Sequence, residues 1–140
     1  MSDSNCIFCK ISTGEIPCFK LAETETVLAF LDIAPIAKAH AVIIPKQHFE
    51  TALAADPAIF KDMYDLAQKI AKTMQKLLNC SGFNFLINNG KVAGQTVFHL
   101  HLHIIPRFEN DEIQWAWNQK PLDQEFGKNL TEQINKTLCV

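Results

Sequence analysis

Short apolar runs closed by breakers dominate the hydropathy pattern. Thr26-Val27-Leu28-Ala29-Phe30-Leu31 ends at Asp32, with Pro35 just beyond, and Ala41-Val42-Ile43-Ile44 stops at Pro45. Phe83, Phe85 and Ile87 alternate up to Asn89-Gly90, a strong turn signal. Runs this short, bounded by turn formers, predict strands rather than helices. Gly14 and Pro17 punctuate a turn ahead of Phe19-Lys20-Leu21-Ala22, the first of three segments before the helix. That helix opens at Asp56-Pro57, an N-cap acid with proline at the first helical position. Ile59, Met63, Leu66, Ala67, Ile70, Met74, Leu77 and Leu78 then recur at three- and four-residue steps as one apolar stripe. Asn79 and Gly82 are its stop signals.

The densest pattern is Phe98-His99-Leu100-His101-Leu102-His103-Ile104-Ile105-Pro106-Arg107, with three of the five histidines at every second position. Strict alternation predicts a strand with Leu100, Leu102 and Ile104 in a core. The three imidazoles would share the other face, about 7 Å apart. Beyond Arg107 patterning weakens around Trp115 and Trp117. Phe126, Leu130, Ile134 and Leu138 then repeat every four residues as a C-terminal helix. The order βββαββα predicts an α+β fold: an antiparallel sheet of about five strands with one long helix and a C-terminal helix. A chain of 140 residues without repeats or linkers reads as one domain, 1–140.

Composition narrows the function classes. A net charge of −2 offers no polybasic field, which argues against nucleic acid or an anionic membrane as partner. No apolar run approaches the length of a membrane span. Met1–Asn5 lacks the basic and apolar regions of a secretory signal, so the expectation is a cytoplasmic protein. The five cysteines, at 6, 9, 18, 80 and 139, cannot all pair within one chain and read as thiols or metal ligands.

Two chemistries suit the histidine segment. Alternating rings can converge on a catalytic zinc with an open water site. Alternatively one ring is a nucleophile that its neighbours orient. No carboxylate base stands within several residues. The preceding Gly94-Gln95-Thr96 supplies N–H, amide and hydroxyl donors suited to an anion, which tilts the reading toward phosphoryl chemistry.

His99-Leu100-His101-Leu102-His103-Ile104-Ile105 resembles the signature of the histidine triad (HIT) family of nucleotide hydrolases and transferases. Cys6-Ile7-Phe8-Cys9-Lys10-Ile11, Phe30-Leu31-Asp32-Ile33, His40 to His48 and Asn88-Asn89-Gly90 extend the likeness across residues 4–107. It is greatest to the Hint-like nucleoside phosphoramidase branch and leaves 108–140 as an extension. The resemblance implies that His101 attacks the α-phosphorus of a purine nucleotide (AMP, GMP or a phosphoramidate). His103 would contact the phosphate and assist the leaving group, and His40 would orient the nucleophile. Asn88, Gly94, Gln95 and Thr96 would contact phosphate and Asp32 the ribose, while Phe8, Ile11, Phe30 and Ile33 would wall the base. It implies a homodimer and no organic cofactor. Members with a C-x-x-C would hold a structural zinc, here through Cys6, Cys9, His48 and His99. Cys18, Cys80 and Cys139 fit no ligand pattern. Pro106-Arg107 resembles the Fhit-like branch, which keeps dinucleoside polyphosphate hydrolysis open. A nucleotide-binding regulatory or scaffold protein with incidental turnover is the reading from another class.

Overall fold

The computed structural model describes residues 5–138; Cys139 lies outside them. A short helix α1 (Ile7–Ser12) precedes strands β1 (Lys20–Glu23), β2 (Val27–Leu31) and β3 (Ala41–Pro45). The long helix α2 (Pro57–Leu78) follows, then β4 (Gly82–Leu86), β5 (Leu102–Arg107) and α3 (Gln124–Thr137). The sheet order is β1-β2-β3-β5-β4, and every neighbouring pair is antiparallel. The predicted α+β class and five-stranded sheet are therefore observed.

Helix α2 begins and ends where its chemistry places the limits. The Asp56 carboxylate accepts the Ala58 N–H at 2.9 Å, and Asn79 closes the helix in the left-handed region at φ 53°. Met63, Leu66, Ala67, Ile70 and Met74 pack against Val27, Ala29, Ala41, Ile43, Leu100, Leu102 and Ile104. The opposite face of the sheet carries Leu28, Phe30, Val42 and Ile44, covered by Phe8 and Ile11 of α1 and by Cys18. Residues buried on both faces explain why β2 and β3 read as continuous apolar runs rather than alternating ones.

Two elements depart from the sequence reading. Helix α1 was not anticipated; it carries Cys9, with Cys6 as its N-cap. The paired part of the histidine segment starts only at Leu102, so of the three triad rings His103 alone stands on a strand. Upstream, the neighbouring β3 ends in Pro45, which has no N–H to donate, and its carbonyl accepts from His99 Nε2 at 2.9 Å. The Leu100 N–H turns to the Phe49 carbonyl. Side-chain and loop contacts thus replace the ladder, and the rings do not form a row. Among the described residues no helix is long and apolar enough to cross a membrane.

Candidate active site

His103 pairs with Val42 on β3 and Leu86 on β4, on the sheet face away from α2. Its neighbours assign its protons. The Ile36 N–H points at His40 Nδ1 (3.3 Å), so His40 carries its proton on Nε2 and donates to His103 Nδ1 at 2.9 Å. His103 then presents its own N–H from Nε2. One Asp32 oxygen lies 3.8 Å from His40 Nε2, and the other accepts the Ala34 N–H at 2.8 Å. The sequence reading set His40 near the nucleophile; it hydrogen-bonds His103, whose ring centroid lies 4.8 Å from that of His101.

His101 is 4% exposed, between Phe8 and His103, with ring centroids at 5.2 and 4.8 Å. Its Nδ1–H donates to the His99 carbonyl at 2.6 Å. A carbonyl can only accept, so the lone pair of the neutral ring sits on Nε2. Burial pushes His101 and His40 below the usual imidazole range, with Asp32 opposing in both. Burial, joined by the neighbouring His101 and His40, pushes His103 down to about 4. All three shifts favour the neutral ring.

The loop before the triad is built on two glycines with positive φ, Gly90 (86°) and Gly94 (92°), around a single 3-10 turn at Lys91–Ala93. The Gln95 side chain is 2% exposed and holds this loop shut. Its Oε1 accepts the Gly90 N–H, and its Nε2 donates to the Glu50 and Val97 carbonyls. Gln95 thus shapes the loop, and its amide is committed to backbone groups. Asn88, Gly94 and Thr96 line one cavity of about 650 Å³ with His40 and His103.

The same cavity is walled by Ile36, Phe85, Ile105, Trp115 and Trp117, none of which the sequence reading placed in the site. For the two tryptophans the only signal was their isolation in a weakly patterned stretch. The proposed base wall is partly assembled: Phe8 meets Phe30 edge-on at 5.7 Å, and Ile11 packs on the same cluster. Ile33 is 85% exposed and stands apart.

A second cluster backs onto the first. Cys6 Sγ and Cys9 Sγ lie 3.4 and 3.6 Å from His99 Nδ1, and Cys9 Sγ lies 3.4 Å from His48 Nδ1. The two Nδ1 atoms are 3.2 Å apart. Because His99 donates Nε2–H to Pro45, its Nδ1 lone pair faces the sulfurs, the orientation a metal ligand needs. The group could hold a metal ion.

Residues 13–110 match the HIT domain. The chain belongs to the HIT family. Adenosine 5'-monophosphoramidase hnt1 of Schizosaccharomyces pombe is 42% identical over 136 residues, covering 96% of this chain and 98% of its own. A crystal structure from Streptococcus mutans superposes with TM-score 0.92 at 41% identity, covering 97% of this chain and 87% of that one. A zinc-bound HIT protein of Mycobacterium smegmatis matches with TM-score 0.75 at 33% identity, over 96% and 98%. Within the HIT fold of this chain, one backbone carbonyl joins the two clusters: His99 supplies a ring to the cysteine cluster and its carbonyl to His101.

Proposed function

We propose that this chain hydrolyses purine nucleoside phosphoramidates of the AMP–amine type through a nucleotidyl-histidine intermediate. The observation that carries the reading is the hydrogen bond from His101 Nδ1 to the His99 carbonyl, which leaves Nε2 as an unprotonated nucleophile in a buried site. Nε2 attacks the α-phosphorus; a P–N bond to the ring forms as the P–N bond to the amine breaks. The departing amine needs a proton, which His103 Nε2–H is placed to give, with His40 behind it. Water then attacks the same phosphorus and passes a proton to His103, replacing the one given to the amine; AMP leaves, and His101 regains its lone pair. Splitting one displacement into two is the advantage of covalent catalysis. The name of the S. pombe relative supports the substrate class. Mixing the protein with a slow phosphoramidate and quenching should leave an adenylyl adduct on the peptide holding His101; an adduct elsewhere would overturn the mechanism.

Asn88, Gly94 and Thr96 would receive the phosphate, with Gln95 acting through the loop it braces. Asp32 would take the ribose hydroxyls. Phe8, Phe30 and Ile11 would hold the base, with Ile33 joining only if the nucleotide draws its strand end inward. Arg107 bonds Asp111, Asn84 and the Ile113 carbonyl, so it has no open fork for a polyphosphate.

The cysteine cluster would hold a structural zinc. Zn–S bonds of about 2.3 Å and Zn–N bonds of about 2.0–2.1 Å in a tetrahedron set ligand atoms roughly 3.3–3.8 Å apart. The observed 3.2 to 3.6 Å separations fit that cage. Four protein ligands leave no open position, so the ion would brace the fold and take no part in the reaction.

The chain would act as a homodimer in the cytoplasm, as one HIT domain with 108–140 as an extension. β4 is an edge strand, and α3 buries no residue of its own. Sedimentation should give twice the chain mass of 15.8 kDa; a monomer at working concentration would refute the dimer.

The depressed histidines also set the acid behaviour. A ring whose folded pKa lies near 4, against 6.5 unfolded, binds fewer protons when folded across that window. Stability is therefore complete above pH 6.5 and falls as pH drops toward 4, by up to ~3 kcal/mol for His103. The acid limb of kcat/KM should likewise lie below 6.5, because the nucleophile stays neutral. Urea melts and rate profiles between pH 4 and 8 would check both, and a rate limb at or above 6.5 would contradict the assignment.

A further inference from the structure

Arg107 is the last residue of β5, four positions after His103. Its Nε and Nη2 each donate at 2.7 Å to a different oxygen of Asp111, a planar fork on a carboxylate. Nη1 donates to Asn84 Oδ1 on β4 at 2.8 Å, and Nη2 also donates to the Ile113 carbonyl at 2.9 Å. The Asp111 carboxylate in turn accepts the N–H groups of Phe108 and Ile113. The guanidinium holds the Asp111 carboxyl far below the usual range, and Asp111 pushes Arg107 up.

An isolated surface ion pair contributes little. This one knits the turn 108–113 to two strands through a guanidinium and carboxylate that are 25% and 15% exposed. From Ile113 the chain runs without helix or strand to Gln124. Trp115 and Trp117, four and six residues past Asp111, line the cavity that His103 also lines. His101 lies between two regions: Phe8 on one side and His103 with this cavity on the other. If the base lies against Phe8, the amine departs past His103, into the cavity with the tryptophans.

We infer that the Arg107–Asp111 clamp is a positioning unit. It holds Trp115 and Trp117 against the leaving-group side of His103 and so sets which amines the site accepts. The inference rests on the phosphoramidase reading. Bulky aromatic amines gain contact with the indoles; ammonia is too small to reach them. Loss of the clamp therefore acts on KM for the former and leaves the latter unchanged.

The test uses Arg107→Lys and Asp111→Asn with two substrates, adenosine 5'-monophosphoramidate and its tryptamine derivative. Each variant should lose about fivefold to tenfold in kcat/KM on the aromatic amine, through KM, and stay within about twofold on the simple phosphoramidate. The double variant should be no worse than either single one, since both break the same interaction. Both tryptophans of the chain lie in this tail, so tryptophan fluorescence, excited selectively over Tyr64, reports it alone. On a Trp117→Phe background, Trp115 should become more open to acrylamide when the clamp is cut. Unchanged quenching, or equal losses on both substrates, would overturn the clamp. A wild-type protein that cleaved neither substrate would instead defeat the hydrolase reading, and quenching would still decide the clamp.

Discussion

A His101→Ala protein should release AMP from adenosine 5'-monophosphoramidate at least ~10³-fold more slowly, while still binding AMP. The loss is expected in kcat, because removal of the ring deletes the atom that bonds to phosphorus. Neither other ring of the triad can substitute. His99 is fully buried with Nε2 on the Pro45 carbonyl, and His103 Nδ1 is occupied by His40. His103→Asn provides the contrast. It removes the proton donor and leaves the nucleophile, so its deficit should shrink when the amine is replaced by a leaving group that departs as a stable anion. The His101→Ala deficit should persist with either leaving group. Single-turnover assays on the two substrates check this, and a His101→Ala rate within tenfold of wild type would eliminate the covalent route.

If the cysteine cluster holds zinc as proposed, stripping it should cost about 3 kcal/mol or more and lower Tm by roughly 10 °C. The cause is the construction of α1. Six residues are too few to form a helix unaided, and its N-cap Cys6 makes no side-chain capping bond. Cys6, Cys9 and His99 are 9%, 3% and 0% exposed, so without an ion thiols and two imidazole nitrogens crowd together in a dry site. Cys6→Ser with Cys9→Ser should reproduce the effect of chelation. Phe8 lies between the two cysteines and touches Phe30 and His101, so KM for nucleotide should rise as well. Metal analysis on protein purified without added zinc should find about one ion per chain. Substoichiometric metal with an unchanged melting curve would sink the structural-zinc reading.

Much of this was legible in the chain because it depends on local rules. Breakers and short apolar runs marked the strands, and Asp56-Pro57 and Asn79 marked the ends of α2. The His-x-His-x-His alternation with C-x-x-C carried the family and its chemistry. Local periodicity also supplied the part that failed. It implied a continuous strand with three equivalent rings, whereas the partner strand ends at Pro45 and the rings have separate tasks. His99 turns to the cysteines, His101 faces inward with Nε2 unprotonated, and His103 pairs with His40. Which ring nitrogen carries the proton depends on a carbonyl or an N–H that reaches it across the fold, as Ile36 and Pro45 do. Spacing along one segment holds no record of such partners. The same reason hid the Gln95 brace and the Arg107 clamp. Sequence determined which residue types stand near one another along the chain; the tertiary structure alone decided what each polar atom faces, because hydrogen bonds and metal cages close between segments far apart in number.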